Sequence, residues 1–193
     1  MRPNEFYGGM RGLPFEIETP LEDRICNDPA WLEGIVWGKP RKAHPEGKII
    51  DHILEVLSNI DKMGVSKEER ANLRLIALIH DTFKYKVPAH HLRVKDHDHG
   101  MIARRFAEKY FQDDGILDII ELHDEAHNAW MVGERFDDWT SAMERVGSLI
   151  STLGGNIGLY LKFYECDNRT GSKKQDDFEW FKEIIEPHIG THP

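Results

Sequence analysis

Apolar residues recur at spacings of three and four through most of the chain, which is the periodicity of helices with one buried face. The stretch LRLIALIHDTFK, residues 73–84, is apolar on almost every side, as is typical of a fully buried helix. No segment of the sequence favours a strand, so we predict an all-α fold, a single bundle of about seven helices. The predicted helices cover residues 29–37, 44–60, 66–81, 99–111, 115–130, 140–168 and 175–185.

Local signals divide the chain further. Glycine and proline are frequent near the start, so we expect residues 1–27 to be an irregular N-terminal arm and residues 28–193 to form one domain. Ser66 with Glu69 is a capping box that opens the buried helix. Gly154 and Gly155 are expected to kink or interrupt the long helical pattern around them. Residues 130–139 are predicted to be a surface loop, with a lid over a pocket as the alternative.

Composition restricts the class of protein. The chain has 193 residues, 40% hydrophobic and 31% charged, which describes an ordinary globular domain. A net charge of −9 argues against binding to nucleic acid or to a membrane surface. Two cysteines without a CxxC motif predict neither a disulfide framework nor a thiolate zinc site. No signal peptide or membrane-spanning stretch is evident, so we expect a cytoplasmic protein, and aromatic residues such as Trp130 and Trp139 leave room for a homodimer.

Histidine and aspartate occur on the apolar faces of several predicted helices. Any one of these residues alone is compatible with a hydrogen-bonded core position. Together they are hard to attribute to packing, because a buried polar group is costly without a partner. A metal ion supplies a shared partner. The residues are His52, His80, Asp81, His99, His123 and Asp167. In the polar loop between two helices, His90 and His91 are interpreted as solvated, and His97 as a supporting or solvated residue.

Six ligands are too many for one catalytic metal with open positions, so we expect two divalent ions per chain, with Asp81 bridging them. Ligation by nitrogen and oxygen alone suits Fe, Mn, Co, Ni, Zn or Mg. Iron is the metal that we expect first. Lys84 stands four residues after His80, on the same helical face, where its charge would meet an anion bound at the metals.

The order of these ligands resembles that of the HD-domain superfamily of metal-dependent phosphohydrolases. His52, His80, Asp81 and Asp167 stand at the four signature positions, and the likeness covers residues 40–172. Locally, HPEGKIIDH and ECDNRTG are similar to segments of the HD domain of bacterial tRNA nucleotidyltransferases. The HPEG comparison puts the first ligand at His52 rather than His44.

His99 and His123 resemble the two extra histidines of the dinuclear HD branches, which include the HD-GYP phosphodiesterases. The GYP motif is missing here, so cyclic-dinucleotide specificity is not implied. No nucleotidyltransferase domain precedes the resembling region, so CCA addition is not implied either. The resemblance implies a metal centre at the middle of the bundle, and HD-x-x-Lys matches the branch in which the lysine, here Lys84, contacts substrate phosphate.

The expected activity is hydrolysis of a phosphomonoester or phosphodiester in a nucleotide or another small phosphorylated metabolite, by a metal-activated hydroxide. We expect Asp81, Lys84, Arg169 and His127 to act in catalysis, with Arg104 and Glu125 as weaker candidates. Two alternatives stay open. The same set of four histidines and two aspartates serves the di-iron oxygenases related to myo-inositol oxygenase, and a non-catalytic HD sensor module is the second alternative.

Overall fold

The structure is a computed structural model that describes residues 12–41, 45–87 and 98–189. Within these ranges it contains ten α-helices and no β-strand, so the predicted all-α fold is confirmed. None of the helices described is both long and apolar enough to cross a membrane. The helices are α1 (Pro20–Cys26), α2 (Pro29–Ile35), α3 (Ile49–Lys62), α4 (Lys67–Ile79), α5 (His99–Ala107), α6 (Asp114–Leu122), α7 (Glu125–Phe136), α8 (Trp139–Leu153), α9 (Ile157–Asn168) and α10 (Asp176–Ile185).

Helices α3, α4 and α9 pack against one another at the centre of the bundle. Helix α4 begins at the predicted capping box, where the Ser66 hydroxyl accepts a hydrogen bond from the Glu69 amide at 3.2 Å. All of its last seven residues are buried, so the end of α4 has no side that faces solvent. From α2, the fully buried Trp31 donates its indole N–H to the carbonyl oxygen of Leu78 at 2.7 Å. This bond holds the end of α4 in place.

The helix predicted for residues 115–130 is in fact two helices. Helix α6 ends at Leu122 and α7 begins at Glu125, so His123 and Asp124 form the turn between them. Apolar residues continue at helical spacing on both sides of this turn. The break therefore has no signal in the hydrophobic pattern, and only packing reveals it.

The prediction of a loop or lid at residues 130–139 needs correction. Helix α7 continues through most of this segment and ends at Phe136. It packs along α8 and buries Ala126, Ala129 and Gly133, three small residues that allow the two helices to approach closely. Small residues at helical spacing favour this packing, and the aromatic and acidic residues between them occupy the outer side.

The long pattern at residues 140–168 is interrupted where the glycine pair predicts. Helix α8 ends at Leu153 and α9 begins at Ile157. Gly154 has φ 50° and ψ −124°, a conformation that residues with a Cβ rarely adopt. The chain changes direction there, and α9 then carries Asp167 in its last turn.

The arm predicted as irregular, residues 1–27, contains helix α1 and needs correction there. Thr19 caps this helix by accepting from the amide of Glu22 at 3.1 Å, and Pro20 occupies its first position. Glu22 is fully buried and binds the guanidinium of Arg74 at 2.8 and 2.9 Å. A buried ion pair across 52 residues therefore attaches the arm to α4.

Some predicted features lie outside the described residues. These are the first eleven residues of the arm, His44, and the polar loop that contains His90, His91 and His97.

Candidate metal centre

All six residues predicted as metal ligands are brought together at the centre of the bundle. Five helices or their ends supply them, and four of the six residues are at most 4% exposed. His80 and His123 occupy the C-terminal cap positions of α4 and α6, where the helix ends and the side chain points past it. The six residues form two groups. The first group is His52, His80 and Asp167, and the second group is Asp81, His99 and His123.

The first group joins α3, the end of α4 and the last turn of α9. The Nε2 atom of His52 is 3.2 Å from Nε2 of His80 and 2.9 Å from Oδ1 of Asp167. Two atoms bound to one metal at about 2.1 Å, and at right angles to each other, stand about 3.0 Å apart. The donor atoms therefore have the spacing of adjacent ligands of one ion.

The second group joins the start of α5 to the end of α6. Nε2 of His99 is 3.0 Å from Nε2 of His123. Oδ1 of Asp81 lies 3.5 Å from the His99 nitrogen and 3.3 Å from the His123 nitrogen. The first group has a comparable spread, since its third distance, from Nε2 of His80 to Oδ1 of Asp167, is 3.8 Å. Both groups therefore have three donors around one point.

The Asp81 carboxylate stands between the two groups. Its Oδ1 faces the second group, while its Oδ2 lies 3.6 Å from Nε2 of both His52 and His80 in the first. Oδ1 is buried and has no hydrogen-bond partner among the described residues. An unpartnered buried carboxylate oxygen is costly, and a cation between the oxygen and the histidines removes that cost. The residues present thus fit two metal ions that share one carboxylate.

The histidine rings are held with Nε2 toward the centre. The Nδ1 atoms of His80 and His123 lie 3.1 and 2.9 Å from the backbone carbonyl oxygen three residues earlier, an acceptor that requires Nδ1–H. Nδ1 of His99 lies 3.0 Å from the carboxylate of Asp98, the N-cap of α5. A partner on Nδ1 leaves the Nε2 lone pair available to a metal, as in most protein sites that bind metals through histidine.

The electrostatics of the centre favour a cation. Burial raises the pKa of Asp81, but the charges of Lys84 and His80 and the contacts with His123 and His99 together outweigh burial and hold this pKa well below its usual range. Burial lowers the pKa of His99, while the nearby carboxylates of Asp81 and Asp98 raise it by more, to about 9. A buried histidine that retains a proton in this way reports an excess of negative charge around it. Metal ions neutralise that charge.

Asp124, which the sequence pattern leaves outside the ligand set, also approaches the second group. Its carboxylate oxygens lie 3.5 Å from Nε2 of His99 and 3.6 Å from Nε2 of His123. The unpredicted break between α6 and α7 is the cause, because a continuous helix would direct Asp124 away from its neighbour His123. In the sequence, the signal for this contact is that a carboxylate directly follows a ligand histidine.

Two lysines supply positive charge at the centre. Nζ of Lys84 is 2.6 Å from Oδ2 of Asp81, beside the metal ligands as the sequence predicts. Nζ of Lys173 is 3.0 Å from Oδ2 of Asp167, a contact that the sequence pattern did not indicate. The signal for Lys173 is the short basic turn after α9, in which the sequence pattern does not indicate which cation faces inward.

The two arginines named as catalytic candidates pair with carboxylates outside the six clustered residues. Arg169 is more than half exposed and pairs with Glu165 one turn earlier on α9, at 2.7 Å. Arg104 pairs with Asp118 and with Glu121 on α6. Each guanidinium is held by a carboxylate of a neighbouring helix turn or helix. In the turn after α9, the cation that contacts Asp167 is Lys173 instead of Arg169.

Two cavities border the centre, and Asp124 lines both. One, of about 260 Å³, is lined by Lys84, Asp167, Lys173 and His127 among others. The other, of about 380 Å³, is lined by His123 and by Glu125, which pairs with Arg145 at 2.8 Å. The two catalytic candidates on α7 therefore line different cavities. His127 lies beside the lysines, and Glu125 forms an ion pair in the other cavity.

Comparison with known proteins gives one match. The family model described as "HD domain" matches residues 49–155, slightly more than half of the chain. No curated protein and no solved structure matches the chain. The matched region includes five of the six clustered residues, and Asp167 lies just beyond its end.

Proposed function

The chain belongs to the HD domain family, within the superfamily of metal-dependent phosphohydrolases, and we propose that it hydrolyses a phosphate ester of a nucleotide or another small phosphorylated metabolite. The observation that carries the proposal is the Asp81 carboxylate, set between two pairs of histidines and bound by Lys84 at Oδ2, the oxygen that faces His52 and His80. The metal-binding histidines and the lysine proposed to bind phosphate are thus both in contact with Asp81.

Two ions account for the donor set. His52, His80 and Asp167 would hold the first, His99 and His123 the second, and Asp81 both. When bound, divalent metals supply Lewis acidity toward a phosphoryl oxygen and lower the pKa of water to near neutrality. The chain's own contribution is a buried set of donors, in which Nδ1 partners keep the imidazoles of His80, His99 and His123 in the binding tautomer.

Recognition of the phosphate falls to the lysines beside the centre. Burial lowers the pKa of Lys84, but the charges of Asp81 and Asp124 and the hydrogen bond to Asp81 together outweigh burial and raise it to about 12, so this amine stays protonated. Lys84, Lys173 and Lys174 line the 260 Å³ cavity together with Asp167. Four aspartates line the same cavity, so the anion would lie between the lysines and the bound metals. With a net charge of −9, the chain favours a small anion there over a nucleic-acid polymer. A cavity of this size suits a ligand no larger than a mononucleotide.

Phosphate release from defined esters tests the proposal. The protein is purified with manganese or iron(II) and assayed with nucleoside monophosphates, p-nitrophenyl phosphate and bis(p-nitrophenyl) phosphate, and its metal content per chain is measured in parallel. We expect Lys84→Gln to lower kcat/KM by about 10²-fold, the effect of removing one group that stabilises transition-state charge. Lys86→Gln is the matched control, because Lys86 is an exposed lysine two residues away.

The other outcomes identify the alternatives. Consumption of O₂ by the iron-loaded protein without phosphate release would replace the proposal with a di-iron oxygenase. Failure to take up any metal on titration would leave a non-catalytic HD module. Equal loss of activity in Lys84→Gln and Lys86→Gln would show that Lys84 has no specific role at the phosphate.

A further inference from the structure

A second buried carboxylate, outside the metal ligands, lies beside the 260 Å³ cavity. Asp177 stands in the first turn of α10 and is 6% exposed. It accepts hydrogen bonds from Nδ1 of His127 at 2.6 Å, from the Tyr164 hydroxyl at 2.8 Å and from Nδ2 of Asn168 at 3.0 Å. The backbone amide of Phe178 donates a fourth bond at 2.9 Å. Donors from α7, α9 and α10 therefore fix this carboxylate in one orientation.

The Asp177 carboxylate is ionised at neutral pH. Burial raises its pKa, but the hydrogen bonds from His127, Tyr164 and Asn168 outweigh burial and lower the pKa below the ordinary value. An ionised carboxylate accepts from Nδ1–H of His127, so Nδ1 carries a proton whatever the state of Nε2. The shortest of the four bonds is the one to His127, as expected of a charge-assisted contact.

His127 is placed to act in the cavity. Its side chain is 47% exposed, stacks on Trp130 at 6.3 Å between ring centroids, and lines the cavity that Lys84 and Asp167 also line. Its Nδ1 is bound to Asp177, and no hydrogen bond from the described residues reaches its Nε2. One ring nitrogen is thus fixed by a carboxylate, and the other is left for a ligand.

We propose that His127 is the general acid of the reaction and that Asp177 is its positioning residue, an inference that rests on the proposed function. As the oxygen of water forms its bond to phosphorus, the bond between phosphorus and the leaving oxygen breaks, and the electron pair stays on that oxygen. The proton on Nε2 of His127 passes to the leaving oxygen, so an alcohol departs rather than an alkoxide. Asp177 stabilises the protonated ring before the transfer and holds the neutral ring in place afterwards.

A purely structural role predicts something different. If the contact between His127 and Asp177 only attached α7 to α10, its loss would lower stability and would affect all substrates equally. A general acid matters most for leaving groups that need a proton. An alkyl phosphate needs one, whereas p-nitrophenolate departs readily without it. The dependence of the mutational effect on the leaving group therefore separates the two roles.

The experiment compares His127→Gln and Asp177→Asn with the parent protein on p-nitrophenyl phosphate and on an alkyl phosphate. We expect His127→Gln to lower kcat for the alkyl ester by about 10²–10⁴-fold and to leave the p-nitrophenyl ester within a few-fold of the parent. Asp177→Asn should show the same pattern with a smaller loss. Glu179→Gln is the control, because it removes an exposed carboxylate from the same helix turn as Asp177. Metal content and unfolding are measured on every variant.

A second readout is independent of turnover. Nitrogen-15 NMR at alkaline pH, where imidazole rings are neutral, reports which nitrogen keeps its proton, and we expect Nδ1–H at His127 in the parent and a mixture of tautomers in Asp177→Asn. This measurement keeps the inference testable if His127→Gln folds poorly. An unchanged tautomer in Asp177→Asn would remove the positioning role.

The two proposals fail in different ways. If the parent protein releases no phosphate from either ester, the proposed function fails and the general-acid role fails with it. If the parent is active but His127→Gln lowers both esters by the same factor, or neither, the hydrolase stands and the general acid is overturned.

Discussion

Replacing Gly100 by alanine tests whether the spacing between α5 and α6 sets the second half of the metal centre. Gly100 follows the ligand His99 and lies against the backbone of α6. A Cβ added there would stand 2.2 Å from the carbonyl oxygen of Glu121, where real Cβ atoms essentially never come closer than 3.0 Å. The neighbour is backbone and cannot rotate away. The two helices must therefore separate by at least 0.8 Å, the difference between these distances.

This displacement acts directly on a pair of ligands. The Nε2 atoms of His99 and His123 are 3.0 Å apart, and both residues lie within two positions of the contact at Gly100 and Glu121. Metal–ligand distances tolerate about 0.2 Å, so the opening exceeds what one ion can bridge. We expect Gly100→Ala to lose the metal of the second group and to keep that of the first. Overpacking should also lower the free energy of unfolding by about 1–3 kcal/mol.

Metal content per chain and urea unfolding measure these effects. Gly147→Ala is the matched control, since Gly147 is also a helical glycine but a Cβ added there meets nothing within 4 Å. The control should keep its full metal content and gain about 0.5–1 kcal/mol of stability, because alanine loses less backbone entropy than glycine on folding. If Gly100→Ala binds as much metal as Gly147→Ala, the close approach of α5 and α6 does not set the site.

Three further predictions follow from other contacts. Glu22→Gln removes the fully buried carboxylate partner of Arg74 and leaves the more exposed Glu18 at 3.1 Å, so urea unfolding should show a loss of about 1.5–3 kcal/mol, and a loss below 1 kcal/mol would contradict the assigned pairing. Ser66→Ala removes the cap of α4 and should cost about 1 kcal/mol in the same assay. Asp81→Asn should reduce metal content at both groups, whereas Asp167→Asn should affect only the first, and equal losses in the two variants would refute a bridging Asp81.

The helical periodicity of the sequence was enough to indicate which faces are buried. It correctly put His80 and Asp81 at the end of an enclosed helix, because a helix that is apolar on all sides has no other stable environment. The interruption at Gly154 was equally readable, since glycine alone tolerates the backbone conformation found there. The break between α6 and α7 was not readable, because the apolar spacing continues through it.

The sequence by itself determined the fold class and the ligand-type residues on inward faces, since both depend on local periodicity and on residue chemistry. Only the tertiary structure decided which charged side chains contact these ligand residues. Lys173 rather than Arg169 reaches Asp167, because the direction of a turn depends on what packs against it. The contact of His127 with Asp177 joins residues 50 positions apart. Such pairs depend on how helices are placed against one another, and a periodic pattern identifies the buried face of a helix without identifying its neighbour.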